Sequence, residues 1–431
     1  MFTLVQTRSI KATLVATLAL LFALSSFAAT VSTRHESRSN RRIKENANTE
    51  KRMAASRHSR ATATRAATTR AGKRAGKNSA VVVKGKRAEN DSAVIAKGKR
   101  GKKRARYYER FTASSFASDP AAGDVTAGED PIVREAAIGA LGSMNGTVVA
   151  IDPSNGRILA MVNQKLALSN GAEPCSTIKV SVALAALSEG IVTKDTPVDI
   201  GGWKINMNQA LAHSNNQYFE TLGRRLGFQK VSYYAHQFGL GELAGWNING
   251  EHLGVYPREE LPAKLGGVGK MCSFGESVSM TPLQLGSLMA SIANGGTLYY
   301  LQHPRTPSEV ANFQPKVKRY LDIAPLIPEI SVGMLGATQF GTARSLRTNF
   351  TSEQVLGKTG TCSNAGTRFG WFGSFANSQY GRIVTVIFLE GDHAVYGPKA
   401  AELAGRFYRN LGEHNYFAGK ATPVRSAALL K

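Results

Sequence analysis

The chain has 431 residues and a formal net charge of +24, but the charge is unevenly placed: residues 34–106 hold 24 basic against 5 acidic side chains and so carry +19 of it. Residues 107–431 are close to neutral at +3, which excludes a uniformly basic folded domain and makes the high isoelectric point a property of one segment. The eight histidines show no H-E-x-x-H or comparable ligand spacing, which argues against metal catalysis; no metal or other cofactor is expected.

An uncharged stretch from Ala12 to Thr33 follows Arg8 and Lys11. It reads as a secretory signal with Ser26-Phe27-Ala28 as cleavage site, or as a retained membrane anchor, since 22 uncharged residues suffice to span a bilayer. The dense positive charge that follows opposes export under the positive-inside tendency. Residues 34–106 are rich in Ala, Arg, Lys, Ser, Thr and Gly, lack periodic apolar positions and contain Lys-Gly-Lys-Arg twice. Such composition predicts a disordered, solvated spacer. Its candidate partners are anionic lipid surfaces or acidic wall polymers; nucleic acid is disfavoured, because interleaved aromatics and zinc spacing are both lacking. Some 300 residues remain, enough for one well-buried α/β unit. The expected organisation is a signal or anchor over 1–33, a basic linker over 34–128, a catalytic domain over 129–418 and a tail over 419–431.

Pro174 sits just ahead of Ser176, and Lys179 to Leu187 reads as a largely apolar helix that stops at Gly190. Residues three apart share a helix face, so Lys179 projects beside the Ser176 hydroxyl, as a base beside a nucleophile. Desolvation and the positive end of the helix dipole both disfavour a charged amine there. For Ser176-Thr177-Ile178-Lys179 alone, an ordinary capped helix with a solvated lysine is an equally good account, because S-x-x-K arises roughly once or twice by chance in such a length.

Ser214-Asn215-Asn216 forms a polar turn that opens another helix, as an N-cap, as a proton-relay hydroxyl with a substrate-holding amide, or as both. Lys358-Thr359-Gly360-Thr361 precedes an alternating segment from Gly370 and a continuously apolar one over Ile383 to Leu389, both suited to sheet. A strand edge bearing a lysine, hydroxyls and a glycine can bind a carboxylate and let a substrate backbone come close, although a protective lysine on an edge strand would look the same.

Taken in order, S-x-x-K, S-x-N and K-T-G resemble the transpeptidase domain of penicillin-binding proteins and the related serine β-lactamases. The resemblance runs over about 130–415: Gly146 to Val162 is similar to the family's opening hairpin, Gly250-Glu251-His252-Leu253-Gly254-Val255-Tyr256-Pro257 to its G-E-x-x-G-x-x-P stretch, and Thr281-Pro282-Leu283-Gln284-Leu285 with Asn294-Gly295-Gly296 to its T-P-L-Q-L helix and exit. It implies an α/β (α+β) fold, an antiparallel sheet flanked by helices with a mostly helical subdomain. The spacings are compact for the group, with 14 positions from Val162 to Ser176, 38 from Ser176 to Ser214 and 144 from Ser214 to Lys358. A stripped-down, single-domain member is expected.

The resemblance also implies roles. Ser176 attacks the penultimate D-alanine carbonyl of a D-Ala-D-Ala stem peptide, Lys179 takes its proton, and Ser214 returns one to the departing D-alanine. Asn216 orients the substrate amide; Lys358, Thr359, Gly360 and Thr361 line the strand that holds the terminal carboxylate. Backbone N–H groups of Ser176 and Thr361 form the oxyanion hole. Peptidoglycan stem peptides and, as covalent inhibitors, β-lactam antibiotics are the partners implied. The placement of Cys175 and Cys362 resembles the disulfide pair of carbapenem-hydrolysing class A β-lactamases, and leaves Cys272 as a buried free thiol. No E-x-x-L-N deacylation loop lies between Asn216 and Lys358, so efficient antibiotic hydrolysis is not expected. A transpeptidase is the main reading, with a D,D-carboxypeptidase, a β-lactamase or a β-lactam sensor of the same fold as the alternatives, and the sequence leaves transpeptidation and carboxypeptidation both open. A substrate of that kind requires export to the periplasm or the extracytoplasmic membrane face, which overrides the charge conflict above. A cytoplasmic chain would instead point to a non-catalytic binding protein with a polyanion-binding tail.

Overall fold

The computed structural model describes residues 109–378 and 381–417. The expected signal or anchor, most of the basic linker and the C-terminal tail lie outside the described residues. Among the described residues no helix is long and apolar enough to cross a membrane.

The elements follow from two periodicities. Helix α1 (Pro131–Leu141) starts at Asp130, whose carboxylate accepts from the N–H groups of Ile132 and Val133, with Pro131 in the first turn where its missing N–H costs nothing. It leads into a hairpin of β1 (Gly146–Ile151) and β2 (Ile158–Val162). The chain then builds a helical subdomain: α2 (Lys179–Ser188), α3 (Met207–Ala212), α4 (Asn216–Leu226), α5 (Phe228–Gln237), α6 (Gly267–Phe274) and α7 (Pro282–Ala293). After α8 (Ile327–Gln339) it returns to the sheet as β3 (Val355–Asn364), β4 (Thr367–Ser378) and β5 (Gly381–Gly391), and closes with α9 (Gly397–Glu413).

The five strands form one antiparallel sheet in the order β2-β1-β5-β4-β3. Alternate side chains feed two cores. Val149, Ile151, Trp371, Phe375, Val384, Val386 and Phe388 face the helical subdomain. Val148, Ala150, Phe372, Ala376, Ile383, Ile387 and Leu389 face α1 and α9. Burial on both faces explains why β5 reads as an unbroken apolar run rather than an alternating one. The architecture is the expected antiparallel sheet flanked by helices. β3 is left as an edge, and the helical subdomain abuts it through the turn that precedes α2.

The domain begins earlier than expected. Residues 109–128, assigned above to the linker, pack on the sheet domain. Buried Ser115 donates to the Asp392 carboxylate at 2.6 Å and accepts from the Asp392 N–H at 2.8 Å. Asp124 pairs with Arg134 at 2.8 Å and accepts from the N–H groups of Asn163 and Gln164. These anchors are paired polar groups rather than a periodic apolar stripe, so hydropathy patterning passes over them.

Candidate active site

Ser176 lies in a 3₁₀ turn over Cys175–Ile178 that runs straight into α2, so Ser176 and Lys179 share one helical face as the spacing predicts. Lys179 Nζ lies 2.8 Å from Ser176 Oγ, 2.6 Å from Asn216 Oδ1, 3.0 Å from the Ser214 carbonyl and 3.2 Å from Ser214 Oγ. Two of those four atoms, the amide oxygen and the carbonyl, can only accept. A neutral amine has two N–H groups for them and one lone pair left, which can accept from the Ser176 hydroxyl at 2.8 Å. The geometry therefore suits an unprotonated lysine accepting the serine proton. Electrostatics agree: burial, then the neighbouring Lys358 charge, lower the Lys179 pKa to about 6, against a smaller opposing pull from Glu220.

Asn215, not Ser214, caps α4, accepting from the Tyr218 N–H at 2.9 Å. The middle residue of the turn thus holds the helix, while the side chains of its neighbours Ser214 and Asn216 reach Lys179. Ser214 sits at φ 55° and Cys175 at φ 51°, a left-handed conformation uncommon for residues with a Cβ. Both backbones are bent where a side chain must be aimed.

Lys358 comes from β3. It is fully buried, its Nζ is 2.8 Å from Ser214 Oγ and 2.9 Å from the Thr359 carbonyl, and burial lowers its pKa to about 7. Ser214 Oγ accordingly lies between the two amines, positioned to pass a proton. Gly360 faces the 3₁₀ turn: a Cβ there would come within 2.8 Å of the Pro174 carbonyl and 3.2 Å of the Cys175 Cβ. Only a glycine lets strand and turn approach this closely. Thr359 Oγ1 is 2.7 Å from Thr342 Oγ1, and Thr361 Oγ1 accepts from the Gly397 N–H at 2.7 Å.

Cys175 and Cys362 are joined by a disulfide, with Cα atoms 5.6 Å apart, so the bond ties the turn carrying Ser176 to the strand carrying Thr361. Cys272 is a buried free thiol, and burial holds its pKa well above the ordinary value. Glu251 is spent on the backbone: its carboxylate accepts from the N–H groups of Ala244 and Gly245 at 2.8 to 3.1 Å. All ten residues singled out from the sequence therefore converge on one junction of the sheet and the helical subdomain. Sequence reasoning missed Thr342 and Glu173. Burial first, then repulsion from Glu276, raises the Glu173 carboxyl to about 7, two residues from the bridging cysteine. Neither lies in a recognisable pattern.

Residues 146–409 match the family model for the penicillin binding protein transpeptidase domain. The chain is similar to the peptidoglycan D,D-transpeptidase MrdA of Acinetobacter baumannii, 26% identical over 364 residues that cover 67% of this chain and 53% of that protein. It is also similar to stage V sporulation protein D of Bacillus subtilis, 29% identical over 257 residues covering 49% of this chain and 39% of that protein. The chain thus spans about half or less of the length of these relatives. Among solved structures, Pseudomonas aeruginosa PBP2 in complex with WCK 5153 superposes with a TM-score of 0.56 at 23% identity, over 66% of this chain and 74% of that one. The D,D-transpeptidase domain of a peptidoglycan glycosyltransferase from Eggerthella lenta gives 0.54 at 19%, over 66% and 81%. At these identities the superpositions establish the fold.

Proposed function

The chain belongs to the penicillin-binding protein transpeptidase family, and from that premise we propose that it is a serine D,D-transpeptidase acting on the D-Ala-D-Ala ends of peptidoglycan stem peptides. The observation that carries this reading is the Lys179 amine, 2.8 Å from Ser176 Oγ and with its N–H groups committed elsewhere.

In this mechanism the Ser176 oxygen bonds to the penultimate D-alanine carbonyl carbon while its proton passes to Lys179. The N–H groups of Ser176 and Thr361 stabilise the oxyanion. Collapse breaks the C–N bond, and the proton returns to the departing D-alanine through Ser214, which lies between Lys179 and Lys358. Asn216 has its oxygen committed to Lys179, leaving its amide N–H groups for a substrate carbonyl. Lys358, Thr359 and Thr361 receive the terminal carboxylate. An amine from a second stem peptide then attacks the ester carbonyl, the C–O bond to Ser176 breaks, and the proton the amine loses passes through Lys179 to the freed Ser176 oxygen. The occupied carboxylate of Glu251 supports slow hydrolysis of the acyl-enzyme, and so a transpeptidase rather than a β-lactamase.

With such a substrate, the catalytic domain would work outside the cytoplasm, at the periplasmic or extracytoplasmic membrane face, with the basic segment before residue 109 as a spacer that contacts anionic lipid or wall polymer. Intact-mass analysis with benzylpenicillin tests the enzyme reading. One adduct per chain, lost in Ser176→Ala and persisting for minutes, is expected. An unmodified wild-type mass after prolonged incubation defeats it, and rapid antibiotic turnover moves the protein to the β-lactamases.

A further inference from the structure

Thr342 joins the two substrate-facing motifs and has no part in the mechanism above. It lies three residues beyond α8, and its N–H donates to the Ala212 carbonyl at 3.1 Å, two residues before Ser214. The approach is tight: a Cβ on Gly341 would come within 2.0 Å of that same carbonyl. The Thr342 backbone is thus pinned to the turn that carries Ser214 and Asn216. Its side chain reaches the other motif, with Oγ1 2.7 Å from Thr359 Oγ1. Neither hydroxyl has another hydrogen-bond partner among the described residues.

A hydroxyl pair can be ordered in two ways, and a carboxylate chooses between them. If Thr359 donates to Thr342, the Thr359 oxygen offers only lone pairs to an incoming anion, which itself only accepts. If Thr342 donates to Thr359, the Thr359 hydrogen is free, and a donor that is itself receiving a hydrogen bond is the stronger for it. Thr361 is arranged on the same principle: its oxygen accepts from the Gly397 N–H at the start of α9, so its own hydrogen is free for a ligand. We propose that Thr342 is a positioning residue for the terminal carboxylate, donating to Thr359 so that Thr359 donates to the ligand. This rests on the assignment of the carboxylate to the K-T-G threonines made above.

The experiment measures second-order acylation rate constants of the full chain with benzylpenicillin and with its methyl ester, which carries no carboxylate. Wild type sets the acid-to-ester ratio. In Thr342→Val, which keeps the shape and removes the hydroxyl, and in Thr342→Ala, the ratio should fall about three- to fivefold, because Thr359 keeps its hydrogen and loses only the orientation and polarisation that Thr342 gives it. Thr342→Ser should hold it within about twofold. A merely structural role slows acid and ester together, so an unchanged ratio in the Val and Ala variants overturns the proposal. Loss of fold in both, seen by circular dichroism, does so too. If wild type is acylated by neither compound, the acyl-enzyme reading fails first and takes this inference with it.

Discussion

The base assignment is tested most directly by the pH dependence of acylation. A lysine of ordinary pKa is neutral in only about one molecule in a thousand at pH 7.4. With its pKa lowered to about 6 by burial and by Lys358, Lys179 is neutral in roughly nine molecules in ten or more at that pH, a gain of about a thousandfold in competent base. Carboxylate binding, as proposed above, would use the charged form of Lys358, whose pKa falls to about 7. The second-order rate constant with a fluorescent penicillin, measured by stopped flow from pH 5 to 10, should therefore rise through about 6 and decline above about 7. Both limbs belong to the interacting pair rather than to either amine alone. Glu220 adds a signed check. Its charge raises the Lys179 pKa, so Glu220→Gln should move the ascending limb to lower pH. A rate that climbs about tenfold per unit to pH 9 would mean that Lys179 titrates like a solvated lysine, and the neutral-base mechanism would fall.

Reduction of the Cys175–Cys362 bond, which closes a loop of 187 positions, should cost up to about 5 kcal/mol on chain-entropy grounds, seen as a lower melting temperature, and should slow acylation by loosening the N–H groups beside Ser176 and Thr361; unchanged acylation after verified reduction refutes the bracing role. Deleting 34–106 should leave acylation by soluble penicillin nearly unchanged while weakening salt-dependent binding to anionic vesicles. Extending the deletion to 128 removes the Ser115–Asp392 and Asp124–Arg134 contacts and should lower the melting temperature sharply; equal stability of the two truncations contradicts the domain boundary. Glu173, raised from 4.5 to about 7, binds a proton more tightly folded than unfolded, so its contribution is fully present below about 4.5 and is lost as pH rises through about 7. Glu173→Gln should flatten the thermal-stability profile in that window, and an unaltered slope counts against the burial of this carboxyl.

Much of the site was legible because its chemistry is local or ordered along the chain. That Ser176 and Lys179 share a face follows from helix periodicity, but their pairing as nucleophile and base needed the other two motifs in order, and the polar turn announced a cap without singling out Asn215. Trp371, Val384 and Phe388 could be placed in strands but not assigned to a face, since both faces of the sheet are buried. What escaped depends on contacts distant in sequence. The 2.7 Å meeting of Thr342 with Thr359 requires the turn after α8 to lie against β3, and no composition or spacing encodes that. Residues 109–128 escaped for a different reason: Ser115, Asp119 and Asp124 resemble linker residues until their partners are known.

The arrangement of charge at the junction explains why two lysines, rather than a lysine and a carboxylate, meet over Ser214. A carboxylate in contact with Lys179 would satisfy its charge and raise its pKa, leaving a cation that cannot accept a proton. The acid that does act on Lys179, Glu220, is engaged by Arg224 and Ser273, and its effect is smaller than burial and smaller than Lys358. Hydrogen-bonding capacity is nevertheless met, since Asn216 Oδ1 and the Ser214 carbonyl take the Lys179 N–H groups and the Thr359 carbonyl takes one from Lys358. The penalty of the site therefore falls on protonation, not on unpaired polar atoms. For both amines the folded pKa is depressed, so the unfolded chain binds more protons between about 6 or 7 and 10.5. Their cost to stability is greatest at and below the lower end of that window and fades toward its upper end. The electrostatic penalty that destabilises the fold near neutral pH is the same one that, in the proposed mechanism, supplies Ser176 with a base.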